Sequence, residues 1–256
     1  MMVNRTLLFG EGLFETIRWK PSEEKLSLHY QRLSSSAKTL GIPCPTYEEF
    51  RAELEKHTHG GDGLYVKYLL ISKGGDHLAH SPQAYGELIL VKALKSQPYR
   101  VDLCLSSYRR HSSDPLCGHK TTSYLFNLLV KREALSRGFH DGIVLNEKDQ
   151  VCETATSNLL LLRGSRFYTP AKSSGLLWGT TLEFLRRRLE IEEEYIRFTE
   201  LDKYDALFVL NSLMLCAMVE RLEERTLNID IQGFKELRGI LRASLYSQPE
   251  GGPPDR

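Results

Sequence analysis

The chain has 256 residues, 41% of them hydrophobic and 26% charged, with Lys+Arg 34 against Asp+Glu 33 and a formal net charge of +1. A chain of this length and composition is a soluble globular protein that buries its core without metal or disulfide support, and its charge balance argues against a nucleic-acid partner. The five cysteines form no C-x-x-C pair and read as reduced thiols of a cytoplasmic protein. The N-terminus lacks a signal-peptide core, and the apolar run 206–219, interrupted by Asn211 and Ser212, is too short to span a bilayer, so no membrane partner is expected.

In chain order, the β-branched and aromatic run 12–19 predicts a strand, and 26–28 a short extended segment after a polar turn at 21–25. Leu33, Ala37 and Leu40 recur at helical spacing, which predicts a helix over 29–40 stopped by Gly41 and Pro43. Phe50 and Leu54 share one face of a second helix over 47–56. Strands are expected at 64–72 and 87–93 around a polar loop at 73–86, and the proline-bearing 96–99 reads as a linker. Beyond it come a strand at 101–106, a polar loop at 108–119 and a helix over 124–136 ended by Gly138. Strands are predicted at 142–145, 151–154 and 158–162, another beginning at Phe167, and a helix opening at Gly179 and running to 189. Extended runs at 195–198 and 206–210 and a closing helix over 234–246 follow. The Pro- and Gly-rich 247–256 is expected to be disordered. The pattern gives an α+β or α/β chain in two lobes: a small N-terminal domain over 1–95 and a larger one over 100–246.

Several familiar motifs fail on context. Gly10-Glu11-Gly12 begins like a dinucleotide fingerprint, but position 15 is glutamate and a strand follows where a helix should open. His57 and His59 lack ligand-spaced companions, so no metal site is expected. Ser35-x-x-Lys38 fits a serine acylase, yet the S-D-N and K-T-G elements are missing. Arg186–Arg188 runs straight into Glu190–Glu194 and reads as a solvated helix end.

Four ordered segments carry a more specific signal: Phe9-Gly-Glu-Gly-Leu-Phe-Glu-Thr16; Arg32-Leu-x-x-Ser-Ala-x-x-Leu-Gly-Ile-Pro43; Gly118-His-Lys-Thr-Thr-x-Tyr-Leu125; and Glu153-Thr-x-x-Ser-Asn158 with Gly179-Thr-Thr181. Together they resemble the class IV (fold-type IV) pyridoxal 5'-phosphate (PLP) enzymes: branched-chain and D-amino-acid aminotransferases and 4-amino-4-deoxychorismate lyase. The resemblance implies a two-lobed, D-amino-acid-aminotransferase-like fold with PLP in the inter-domain cleft, and a homodimer acting on a small-molecule carboxylate substrate. It departs from the pattern in three places: only nine residues precede Gly10, where relatives usually carry an extra strand pair; Glu11 replaces the usual aspartate; and Ser123 replaces an asparagine.

Taken alone, Lys120 is a loop cation, Glu153 a hairpin carboxylate and Arg32 a solvated helix arginine. The resemblance implies that Lys120 is the catalytic Schiff-base lysine, that Glu153 faces the pyridine nitrogen, and that Arg32 binds the phosphate. Thr180 and Thr181 open a helix, a favourable place for an anion, and Ser212 matches a further phosphate contact. Tyr124 either bonds the cofactor's phenolic oxygen or is a core aromatic. Arg110, then Arg109 and His111, are the candidates for gripping a substrate carboxylate, with Asn211 and Phe14 also on the substrate side. The Asn211-Ser-Leu-Met214 run is closest to that of aminodeoxychorismate lyases, which favours release of 4-aminobenzoate and pyruvate, a step of folate biosynthesis. A branched-chain or D-amino-acid aminotransferase is the alternative, and a non-enzymatic PLP-binding protein a remote one.

Overall fold

A computed structural model describes residues 4–245. The end of the closing helix expected at Tyr246, and the tail expected to be disordered, lie outside these residues. A short helix α1 (Arg5–Phe9), which the sequence reading did not foresee, is capped by Asn4 and ended by Gly10 in the left-handed region (φ 68°). A side chain at position 10 would be strained by that angle and would run into Ser123 Oγ.

β1 (Gly12–Trp19), β2 (Leu64–Gly74) and β3 (Pro82–Ala93) then form an antiparallel three-stranded sheet in that order. The loop expected at 73–86 shrinks to the residues between Gly74 and Pro82, because β3 is an edge and an edge tolerates Pro82. Helices α2 (Glu23–Leu40) and α3 (Tyr47–Thr58) lie between β1 and β2 in the chain. The segment 26–28 is helical rather than extended. Ser22 caps α2 through the Lys25 amide, and Glu23 and Glu24 suit its positive end, so the helix starts two turns before the apolar periodicity becomes clear. Period two divides β1 into two faces. Leu13, Ile17 and Trp19 join Leu33, Ala37, Phe50 and Leu54 in one core, while Phe14 and Thr16 point the other way, into a cavity.

Residues 94–99 carry the chain into a nine-stranded sheet. Its order is β6 (Val151–Thr154), β5 (Asp141–Leu145), β4 (Arg100–Arg109), β11 (Leu215–Leu222), β10 (Ala206–Asn211), β7 (Asn158–Arg163), β8 (Arg166–Pro170) and β9 (Ile191–Glu194), with β12 (Arg225–Thr226) beside β11. Alternation again assigns the faces. Leu159, Val209 and Ala217 pack with Leu103 and Ile143 on one side; Leu160, Phe208 and Cys216 pack on the other against α5 (Thr180–Arg186) and α6 (Ile231–Arg242). α4 (Leu125–Ser136) covers the β4–β5 region through Val130 and Ala134.

Three expectations shift. The run 206–219 is a hairpin, β10 and β11, instead of one strand and a turn, because Asn211 Oδ1 accepts from the amides of Leu213 and Met214 and reverses the chain. The strand expected at 195–198 lies at Ile191–Glu194, where the sheet edge leaves its carboxylates in solvent. The helix expected to reach 189 stops at Arg186.

Candidate active site

A cavity of about 540 Å³ opens between the two sheets, lined by Phe14, Thr16 and Lys67 from the small one and by Glu153, Asn158 and Asn211 from the large one. Lys120, Arg32, Tyr124, Thr180, Thr181, Ser212, Arg109, Arg110 and His111 also reach its wall, so every residue singled out in the sequence for the site meets at one place.

One end is built on α2. Its polar residues Lys25, His29, Arg32 and Ser36 repeat at helical spacing beside the apolar stripe. Glu15 lies on the apolar face of β1 between Leu13 and Ile17 and is fully buried. Arg32 clamps it with two bonds, Nε to Oε1 at 2.8 Å and Nη2 to Oε2 at 2.5 Å, and His29 Nδ1 sits 2.6 Å from Oε2. Burial works against a charge on Glu15, but Arg32 and then His29 outweigh it and hold the carboxyl at about 2. Burial likewise pushes His29 down to about 4. A neutral imidazole beside an ionised carboxylate carries its proton on Nδ1, so Nε2 accepts from Ser212 Oγ (3.1 Å) or Thr180 Oγ1 (3.4 Å). Lys25 Nζ donates to Thr181 Oγ1 at 2.8 Å.

Lys120 occupies the middle. Its peptide is stitched to β1: the Phe14 amide donates to the Lys120 carbonyl, the Thr122 amide to the Gly12 carbonyl, and Leu13 pairs with Thr121. Nζ lies 4.6 Å from the Phe14 ring centroid and 5.4 Å from that of Tyr124. Burial, with Arg32 adding repulsion, lowers its ammonium to about 8, while Glu15 and Glu153 pull the other way. A lysine so placed is an amine for part of the time near neutral pH, as nucleophilic or base chemistry requires.

At the far end, Glu153 Oε1 accepts from Arg110 Nη1 at 2.5 Å, and Asn158 Nδ2 approaches Oε2 at 3.5 Å. Burial raises the Glu153 carboxyl above its ordinary range, with Arg110 opposing.

The remaining expected residues fall into place unevenly. Tyr124 stands edge-on to Phe14 and gives its hydroxyl to the Ala155 carbonyl at 3.2 Å. Arg110, ranked first for a substrate carboxylate, is instead paired with Glu153 and bonded to the Gly175 carbonyl, so its charge is already compensated. Arg109 is half exposed and paired with Asp149. His111 is exposed and bonds Ser113. Asn211 commits its amide to Ser157 and its oxygen to the hairpin turn. Sequence reasoning passed over Glu15, His29, Lys25 and Lys67. The first three were legible as charges at core positions of β1 and α2. Lys67 faces Thr16 across the β1–β2 pair, and its Nζ lies 4.2 Å from the Phe14 ring.

A cleft with a half-buried lysine between a cation-and-hydroxyl end and a carboxylate end is that of a cofactor-dependent enzyme of fold type IV. The model of the amino-transferase class IV family matches residues 12–222. The aminodeoxychorismate lyase of Vibrio harveyi is 25% identical over 89% of this chain and 89% of its own, and that of Bacillus subtilis 28% identical over 85% and 79%. The branched-chain aminotransferase structure of Thermoproteus uzoniensis with norvaline superposes with a TM-score of 0.83 at 25% identity, covering 93% of this chain and 87% of the other. The chain belongs to the class IV aminotransferase family of PLP-dependent enzymes. Among the described residues no helix is long and apolar enough to cross a membrane.

Proposed function

We propose that the protein is a PLP-dependent lyase that converts 4-amino-4-deoxychorismate to 4-aminobenzoate and pyruvate. The observation that carries this reading is the β10–β11 turn: the run Asn211-Ser-Leu-Met214, of the kind found in aminodeoxychorismate lyases, lines the cavity through Asn211, Ser212 and Leu213. Lys67 supports it. A chorismate-type substrate carries two carboxylates, and Lys67 is a cavity-lining cation that forms no salt bridge among the described residues. Transamination of an amino acid is the second reading, favoured by the norvaline-bound structural neighbour.

The cleft fits PLP group by group. Arg32 and the hydroxyls of Thr180, Thr181 and Ser212 suit a phosphate, and Glu153, a cavity-lining carboxylate held by Arg110, Asn158 and the Leu177 amide, suits a protonated ring nitrogen. Bound there, PLP supplies an electron sink for the pair left when a bond to the substrate carbon breaks. Lys120 Nζ, as a free amine, would hold the cofactor, and would then take the proton from the amino-bearing ring carbon and give it to the departing pyruvate. Phe14 and Tyr124 flank the lysine and limit the directions its amine can take. Aromatisation of the substrate ring drives the departure of pyruvate. In the same reading the two sheets belong to lobes over 1–95 and 100–246, and the enzyme works as a homodimer: Leu128 of α4 is exposed at the cavity and Leu125 is exposed one turn before it, apolar surface that a second copy would cover.

Incubation with 4-amino-4-deoxychorismate and no keto acid should release 4-aminobenzoate and pyruvate over many turnovers, with Lys120→Ala as the inert control. Single-turnover loss of the lysine-linked absorbance band on adding L-leucine, L-glutamate or D-alanine, without 4-aminobenzoate formation, would replace the lyase by the transaminase.

A further inference from the structure

Lys25 sits at the base of the polar row on α2, 2% exposed, yet it forms no salt bridge among the described residues; its ammonium makes one hydrogen bond, to Thr181 Oγ1 at 2.8 Å. A buried ammonium without a carboxylate partner is costly, and α2 could have placed a leucine there. We propose that Lys25 is a positioning residue for the phosphate of the cofactor, acting through Thr181 and supplying the positive charge that Arg32 alone does not. This rests on the reading that Arg32 and the neighbouring hydroxyls receive that phosphate.

Two features lead there. The first is the direction of the hydroxyl protons. His29 Nε2 is an acceptor and draws the proton of Ser212 or Thr180 towards itself. An ammonium only donates, so Thr181 accepts from Lys25 and must point its single proton elsewhere, and Thr181 lines the cavity. Thr181 is therefore the hydroxyl held ready to donate to an anion. The second is the charge balance. Arg32 is matched by Glu15 through two bonds and His29 is neutral, so this trio is electrically balanced without Lys25. A phosphate monoester carries up to two negative charges, and Lys25 makes its receiving end net positive. Burial and the nearby Arg32 depress the ammonium in the protein as it stands, so an anion on Thr181 is what favours its charged form.

The test compares PLP with pyridoxal, which lacks the phosphate, by equilibrium dialysis from the loaded enzyme. Lys25→Met should weaken PLP by about 10- to 100-fold, the loss expected for a charge-assisted contact, and leave pyridoxal unchanged. Lys25→Gln, which keeps a donor for Thr181 without the charge, should lose less, and it decides the matter if the methionine variant does not fold. Equal losses for both ligands, or no loss of the preference for phosphate, would overturn the assignment. A wild-type enzyme that holds PLP no more tightly than pyridoxal, or an Arg32→Met variant that keeps the preference, would instead overturn the placing of the phosphate.

Discussion

The two ends of the cleft use the same pair of residues to opposite effect. At one, Arg32 embraces Glu15 with two nitrogens and His29 adds a third donor, so the carboxyl is driven down to about 2 and its oxygens are fully engaged. At the other, one Arg110 nitrogen and the Leu177 amide reach Glu153 and Asn158 approaches only to 3.5 Å, yet burial prevails and the carboxyl is raised. An arginine–glutamate pair thus has no fixed meaning. How strongly the donors oppose burial decides whether the carboxylate is held ionised as a structural anchor or left readier to take up a proton.

The comparison is broken most severely at the anchor. Glu15→Gln leaves the partly buried Arg32 beside a neutral amide and should cost about 3–5 kcal/mol of stability, read as a lower denaturant midpoint at unchanged m-value. Glu153→Gln also leaves Arg110 beside a neutral amide, but because burial already opposes the Glu153 charge it should cost less stability than Glu15→Gln while turning over about 10²- to 10³-fold more slowly, the scale of losing one preorganised electrostatic contact at the reacting group; a loss of stability larger than that of Glu15→Gln would erase the distinction. The smallest effect is in pH. Glu15 and His29 have folded values, about 2 and about 4, below their ordinary 4.5 and 6.5, so the unfolded chain takes up protons first. The melting temperature should therefore fall between pH 6.5 and 4 because of His29 and between 4.5 and 2 because of Glu15. Glu153, displaced upwards, contributes with the opposite sign. His29→Asn should flatten the upper limb, and an unchanged profile in that variant would refute the assignment.

The sequence disclosed the strands and helices whose periodicity was clean, such as β6 at 151–154, matched residue for residue, and the onset of β1 at Gly12. It missed elements whose boundaries are set by single polar contacts: the early start of α2 at Ser22, and the Asn211 turn that splits the apolar run into β10 and β11. The charged strand β9 escaped because its pairing with β8, not its composition, makes it extended. The site was legible as a set of motif residues but not as a circuit. That Arg110 would be paired with Glu153, or Arg32 with Glu15, depends on contacts across 43 and 17 positions of chain, which local spacing does not encode.

Lys120 is delivered by a long polar stretch, yet its main chain is fastened to β1 by two amide–carbonyl bonds and the Leu13–Thr121 bridge. The reacting nitrogen thus takes its place from the strand it leans on, while His111, Asp114, Leu116 and Cys117 of the stretch before it serve as cavity wall. Such a stretch can be lengthened, shortened or rewritten at little expense to the geometry of Nζ. In evolutionary terms, the rim that meets the substrate is replaceable and the reactive centre is not, and one scaffold can then be refitted for several chemistries.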